Sequence, residues 1–327
     1  NSASKHKRSG KKLSNKREPR MDLNLIAFLD SRGLYRHGKV PIDFRKNPLD
    51  KSRAARSQPS MKIKPLISWP GGKTRMLSKL LPHIPEKGGY IEVFGGGAAL
   101  LLAKPPVKLE VYNDVNGDVV NLYRVAKYHP EALATEIEGM PISRQFLHEI
   151  GQVLQTNFLT DIQRAGLFLH ANKGSFGGNG SSFPVCRQPD THPVVARETL
   201  MKSIREFSKR MERVLIESLD YRRIFLNYDH PENFMFLDPP YYNAKPTNYN
   251  GWSEDEMREF ASHVAKLKSR WIITVDDSPL NRSLWRKHHI EAVSTRNGCG
   301  NHGKLAVRHF GELIIHSHSP KKSQLAA

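Results

Sequence analysis

The sequence predicts an α/β domain carrying an inserted helical subdomain, and three observations support that reading. From Met61 onward short apolar runs alternate with amphipathic ones, the pattern of strands laid side by side and covered by helices. More than a hundred residues of mainly helical pattern separate the apolar run ending at Tyr112 from the one beginning at Phe234. The apolar runs also end on Gly-Gly-Gly, Asn-Asp, Asp-Pro-Pro-Tyr and Asp-Asp, residue types suited to strand ends that meet a ligand.

Taken in order, residues 1–60 hold 16 Lys and Arg against 5 Asp and Glu, a surplus of 11 out of a formal charge of +19. Residues 1–20 show no hydrophobic period and read as disordered, and DLNLIAFLD at 22–30 is a short apolar patch. Lys62–Ile67 fits one short strand. Further strands are predicted at Tyr90–Phe94, Leu109–Tyr112, Phe234–Leu237, Trp271–Val275 and Glu312–Ile315, from their apolar, β-branched and aromatic content. Helical patterns cover Pro130–Gly139, Arg144–Leu154, Asp161–His170 and Arg197–Val214, broken by the loop KGSFGGNGSSF at 173–183. The α/β domain is therefore drawn over 61–117 and 198–318, the helical subdomain over 118–197, and a tail over 319–327. No internal repeat is visible.

Composition excludes several classes. Hydrophobic residues make up 38% of the 327, enough for a core, yet no run approaches the roughly 18 apolar residues of a membrane span. The first twenty residues contain no apolar signal core. Two cysteines, Cys186 and Cys299, lie far apart, so neither a disulfide framework nor a structural zinc is expected and a reducing compartment fits. The basic balance suggests a polyanionic partner.

ISWPGGKT at 67–74 ends like a phosphate-binding loop, but that loop needs glycine at position 67 and this chain has Ile67. A β-branched residue does not suit a turn that starts with positive φ. Gly95, Gly96 and Gly97 follow a strand and precede a helix, so they form either a tight turn or a place where a ligand meets backbone. Asp114 lies 19 residues beyond Gly95. An acid at that spacing can accept from the two hydroxyls of a ribose, or it can cap a helix. Asp238-Pro239-Pro240-Tyr241 is the most specific tetrapeptide. Its prolines fix a rigid extended turn presenting a carboxylate, carbonyl oxygens and a ring. An exocyclic amine offers two in-plane N–H groups beside a π system: Asp238 can take one, the Pro239 carbonyl the other, and Tyr241 can stack.

WPGGK at 69–73, FGGGAA at 94–99, Asn113-Asp114 and DPPY at 238–241, in this order, resemble a Dam-type DNA adenine-N6 methyltransferase. The KGSFGG loop and the Asn297–Gly300 turn resemble its phage members, and the likeness runs from about Lys64 to Ile315. It implies a Rossmann-like S-adenosylmethionine-dependent methyltransferase fold with 118–197 as the DNA-binding, target-recognition subdomain. It also implies S-adenosylmethionine as cofactor without a metal, and double-stranded DNA with a flipped-out adenine as substrate. The expected enzyme is a monomer in the cytoplasm of a bacterium or phage-infected cell, associated with the nucleoid and not with membrane.

By the same resemblance Trp69 packs against the cofactor and Lys73 binds near its methionine carboxylate or orders the loop. Gly95, Gly96 and Gly97 line the methionine and sugar, Asp114 holds the ribose, and Tyr228 flanks the adenine ring. Asp238, Pro239, Pro240 and Tyr241 form the catalytic turn, with Asp238 also at the cofactor. Lys173, Phe176, Asn179 and Arg187 are expected to touch DNA, with Phe183, Arg144 and Arg164 beside them. Phe176 and Phe183 either wedge between bases or pin the loop to the subdomain core.

Cellular members that read GATC carry a lysine before the tryptophan, where this chain has Ser68, and an arginine in the loop that here reads GGNGSS. Without that bidentate contact to guanine, a different or relaxed target is expected, Asn179 being the one candidate for an adenine edge. Rival readings are methylation of cytosine N4, of RNA or of a glutamine side chain, and a noncatalytic DNA-binding protein that keeps the fold. Asp276-Asp277 fits the edge of the adenine site or a turn. His316 and His318 read as a solvated tail rather than metal ligands, and the basic run at 5–20 as an import signal or a DNA-binding arm.

Overall fold

The structure, a computed structural model, describes residues 63–185, 197–242, 244, 250–296 and 309–318, all within one compact unit spanning Gln58–Ala327. The basic extension 1–60, Arg187, both cysteines, the Asn297–Gly300 turn and the 319–327 tail lie outside the described residues.

Five strands run parallel: β1 (Gly89–Glu92), β2 (Glu110–Asn113), β3 (Leu215–Glu217), β4 (Asn233–Leu237) and β5 (Arg270–Asp276). Two more, β6 (His289–Arg296) and β7 (His309–His316), complete a sheet of order β3-β2-β1-β4-β5-β7-β6, with β7 antiparallel to both its neighbours. The order reverses between β1 and β4, the switch point at which open α/β sheets bind ligands. The fold is the Rossmann-like one expected.

Period-two alternation sends Tyr90, Tyr112, Phe234, Phe236, Ile272 and Ile314 to one face. Ile91, Val111, Met235, Leu237, Ile273 and Leu313 go to the other. The first face is covered by the segment around α1 (Leu77–Leu80), by α2 (Ala99–Ala103), α3 (Gly117–Tyr128), α4 (Pro130–Glu138), α6 (Asp161–Lys173) and α7 (Arg197–Met211). Between α4 and α6, α5 (Arg144–Val153) adds a small satellite core around Leu147 and Ile150. The second face carries α8 (Tyr221–Tyr228), α9 (Glu254–Val264) and α10 (Pro279–Leu284).

Four expectations change. No strand forms over 63–67, where Leu66 and Ile67 bury their side chains in the core without joining a ladder. The edge strands β3 and β6 were not foreseen: β3 has three residues, and β6 reads HIEAVSTR with few large apolar groups. His316 is not in a solvated tail, because β7 extends to it and leaves it only 1% exposed.

Candidate active site

The parallel strands deliver their carboxyl ends to one edge of the sheet, and the sequence-predicted residues gather there. After β1 the chain turns through Gly95, Gly96 (φ +44°) and Gly97 into α2. A Cβ on Gly95 would sit 2.2 Å from the Tyr112 ring, and one on Gly96 would sit 2.6 Å from the Trp69 ring. These positions need glycine because two aromatic rings close directly on the backbone. The Tyr112 hydroxyl donates to the Gly96 carbonyl (2.8 Å).

Asp114 follows β2 and reaches back to that turn. Its Oδ2 accepts the Gly96 N–H (2.7 Å) and its Oδ1 the Asn116 N–H (2.8 Å). The helix cap is Asn116, which takes the N–H groups of Asp118 and Val119. The acid thus links the glycine turn to the start of α3 and keeps acceptor capacity for a sugar hydroxyl. Burial raises its pKa while backbone N–H groups pull it down. A small-residue turn with an acid acceptor behind it suits an adenosyl-containing cofactor.

Asp238, at the tip of β4, is built from both sides. Lys73 Nζ lies 2.8 Å from Oδ2 and also donates to the Gly71 carbonyl (2.6 Å). Thr274 on β5 donates to Oδ1 (2.7 Å). Burial pushes the carboxyl up, and Lys73 followed by Thr274 opposes that. Among the described residues nothing donates to the Pro239 carbonyl. The Tyr241 carbonyl accepts the Trp252 N–H (3.1 Å), and the Tyr242 N–H goes to Asp276 Oδ1 (3.1 Å), so the turn is held from beyond both prolines. The Tyr241 ring lies 5.1 Å from Lys73 Nζ. Asp276 also accepts from Asn281 (3.0 Å), giving it a turn-holding role.

Residues 69–298 match the family described as D12 class N6 adenine-specific DNA methyltransferase. The chain belongs to that family. It is 28% identical over 244 residues to the type II methyltransferase M.MjaIII of Methanocaldococcus jannaschii, covering 64% of this chain and 82% of that one. To the retron Ec67 DNA adenine methylase of Escherichia coli it is 26% identical (69% and 83% covered), and to the DNA adenine methylase of Haemophilus influenzae 24% identical (79% and 94%). A solved S-adenosylmethionine-dependent methyltransferase from Agrobacterium tumefaciens aligns at TM-score 0.34 and 8% identity over 74% of this chain and 60% of that one, too loose a likeness to carry weight. The reaction of this D12-class enzyme is S-adenosylmethionine-dependent methylation of adenine in DNA.

Of the expected site residues, Trp69, Lys73, Gly95, Gly96, Gly97, Asp114 and Asp238 to Tyr241 stand at the strand tips. Tyr228 has its carbonyl at the first residue of β4, on the opposite edge of the sheet, where it accepts from Asn233 (2.8 Å), while its hydroxyl donates to Glu217 (2.6 Å), the last residue of β3. The stretch of that connection nearest the tips is Leu219–Tyr221: Leu219 exchanges hydrogen bonds with the Asn113 side chain (2.8 and 2.9 Å), and the Tyr221 ring lies 6.0 Å from Phe94.

Thr274 and Glu312 are site residues that sequence reasoning missed. Glu312 faces Asp276 across the β5–β7 pairing, and burial raises its carboxyl while Lys73 lowers it. The glycine loop splits the expected DNA contacts. Phe176 is 60% exposed, whereas Phe183 packs on the satellite core with Arg144 5.0 Å from its ring. The Asn179 amide is spent within the loop, donating to Ser182 Oγ (2.8 Å) and accepting from the N–H groups of Ser181 and Ser182. Lys173 is half-buried, with burial lowering its pKa. Arg164 is paired with Asp118 (2.7 Å). Buried Asn172 ties the loop to the cofactor side, bonding Ser68 N (2.8 Å), Ser68 O (2.9 Å) and the Gly178 carbonyl (2.9 Å).

Proposed function

We propose that the enzyme acts on an adenine everted from duplex DNA, holding its N6 amine between the Asp238 carboxylate and the Pro239 carbonyl with Tyr241 against the ring. One observation carries this: a carboxylate largely withdrawn from solvent, its side chain 19% exposed, stands beside a rigid carbonyl that no described residue occupies. Those two acceptors match the two N–H groups of the amine. Taking both draws the nitrogen lone pair out of conjugation with the ring and turns it into a nucleophile.

Bound S-adenosylmethionine supplies a methyl group on a sulfonium, already activated for displacement. Gly95 to Gly97 and Asp114 suit its amino-acid and sugar parts, and Trp69 covers the turn. Asp238 orients the amine and receives or relays the proton it loses as the new N–C bond forms. Lys73 keeps that carboxylate ionised in spite of its burial. Because the target nitrogen is paired inside a duplex, eversion costs a few kcal/mol, and stacking on Tyr241 returns about 1–3 kcal/mol. Tyr241 must turn from Lys73 toward the base to do so.

The target is proposed to differ from GATC or to be relaxed. Asn179 has its amide committed inside the loop and Ser68 replaces the lysine of GATC readers, which leaves exposed Phe176 as the better-supported loop contact. The enzyme is further proposed to work as a monomer in the cytoplasm. Among the described residues no helix is long and apolar enough to cross a membrane.

The test incubates the full chain with methyl-labelled S-adenosylmethionine and either duplex DNA, RNA or protein, then digests the product. N6-methyladenine from duplex DNA is expected, and sequencing of the methylated DNA reads the target. Asp238→Ala is expected to abolish turnover while leaving cofactor affinity within a few-fold. A variant with near-normal rates would overturn the role given to the carboxylate, and label in RNA alone would overturn the DNA reading.

A further inference from the structure

We propose that His83, Glu291 and His316, with His289 at their edge, form a binding site for a divalent transition-metal ion of the zinc class, on the same face of the sheet as Lys73 but at the far end of β7 from the active site. The position follows from register. His289 pairs with His316 across β6 and β7, so both project to one face, and Glu291, two residues along β6, projects there too. His83 comes down onto that face from the short turn Leu81–His83. His316 stands four residues from Glu312 along β7, on the order of 13 Å by strand rise. The metal therefore takes no part in methyl transfer.

Three imidazoles converge on a single carboxylate oxygen. The Nε2 atoms of His316, His289 and His83 lie 2.9, 3.6 and 3.7 Å from Glu291 Oε1. One ligand atom each from His83, Glu291 and His316 all fall within 4.8 Å of one another, the one such group among the described residues. Tetrahedral zinc with bonds of about 2.0–2.1 Å sets its ligands roughly 3.3 Å apart, and the imidazole nitrogens stand 2.9 to 3.7 Å from Glu291 Oε1. These atoms lack any other use. Both ring nitrogens of His316, Nε2 of His289 and Oε1 of Glu291 are buried without a hydrogen bond, the 2.9 Å approach being misdirected for one. Buried polar atoms without partners are rare in folded proteins, and a cation between them would take Glu291 Oε1 and one ring nitrogen of His316.

The chemistry agrees. Two imidazole nitrogens and a carboxylate oxygen are donors that a zinc-class ion takes, with a fourth position open to water. His83 ends the segment that begins at Lys73. An ion here would staple that segment to the β6–β7 hairpin and so steady the lysine at its other end.

The experiment uses metal-free full-length protein titrated with Co²⁺, then with Zn²⁺ as competitor. One equivalent of Co²⁺ with an intense tetrahedral d–d spectrum, displaced by Zn²⁺ and accompanied by a rise in melting temperature, is expected. His83→Gln and Glu291→Gln leave the hairpin hydrogen bonds intact and are expected to weaken binding at least about 100-fold, since even outer-shell losses cost 10–100-fold. Circular dichroism shows whether each variant is folded. Absence of a stoichiometric site, or affinity unchanged in both folded variants, overturns the proposal. In the first case the cluster is a metal-free imidazole–carboxylate network, and in the second the ion is held elsewhere.

Discussion

Replacing Lys73 by Met tests the electrostatic design of the site most directly. The Lys73 and Asp238 side chains are 3% and 19% exposed and 2.8 Å apart, so solvent screens the pair little. Removing one partner of a buried pair leaves an uncompensated charge and costs about 3–5 kcal/mol. For a unit of this size that corresponds to a fall in melting temperature of about 10 °C. The pH dependence has a definite sign. Folded Asp238 titrates above its ordinary 3.8, so its ionised form costs stability at neutral pH and ceases to as pH falls through the folded value toward the unfolded one. Without Lys73 the folded value rises further, so the deficit of Lys73→Met is largest at neutral pH and shrinks on acidification toward about pH 4. Turnover of the variant should rise more steeply with pH than wild type, because only the ionised carboxylate accepts from the amine. Adding Asp238→Asn to Lys73→Met should return at least about 2 kcal/mol, the signature of coupled neighbours. Thermal melts from pH 4 to 8 with a methylation assay on duplex DNA read all of this. A loss below about 1 kcal/mol, the range of exposed pairs, with no pH dependence would refute the reasoning.

Gly96→Ala places a Cβ at positive φ against the Trp69 ring and should cost about 1–3 kcal/mol with a loss of cofactor affinity, both measurable by calorimetry. Asp114→Ala removes the acceptor proposed for the sugar, which also holds the Gly96 N–H, so cofactor affinity should fall about 10–100-fold while DNA affinity changes little. Glu92 is buried, accepts from Tyr90 and Leu101, and has its carboxyl raised to about 8 from 4.5. Stability should therefore decline by a few kcal/mol as pH rises from about 4.5 to 8, and Glu92→Gln should flatten that slope in denaturant titrations. Removing residues 1–60, with their surplus of 11 positive charges, should reduce the salt dependence of DNA binding without changing the methylation rate at saturating DNA. An unaltered slope would mean the extension does not touch phosphate.

Central strands were legible because burial on both faces forces apolar runs, as in YIEVF and WIITV. Edge strands escape that requirement. The β3 segment has Leu215 49% exposed, so its three residues carry too little apolar pattern to mark a strand. Missing β3 had a consequence at the site. The connection that leaves its tip at Glu217 carries Leu219, bonded to Asn113, and Tyr221, against Phe94, beside the carboxyl ends of β1 and β2, and no pattern in the sequence marked it.

Lys73 shows what a motif leaves unsaid. The Gly-Lys-Thr tail of ISWPGGKT looks like a phosphate grip, and the family resemblance moves the lysine to the cofactor, but neither reading pairs it with Asp238. That pairing needs β4 and β5 side by side, so that Thr274 takes one oxygen of Asp238 and leaves the other for Nζ. It also needs the 73–83 segment laid along the same face. Residues separated by more than 160 positions cannot signal a contact through spacing, whereas Gly95–Asp114 can, because a single βαβ step fixes the distance between them. The motifs within one such step were therefore readable, and the contacts made across the sheet, Lys73, Thr274 and Glu312 around Asp238, emerged only once the strands had been ordered.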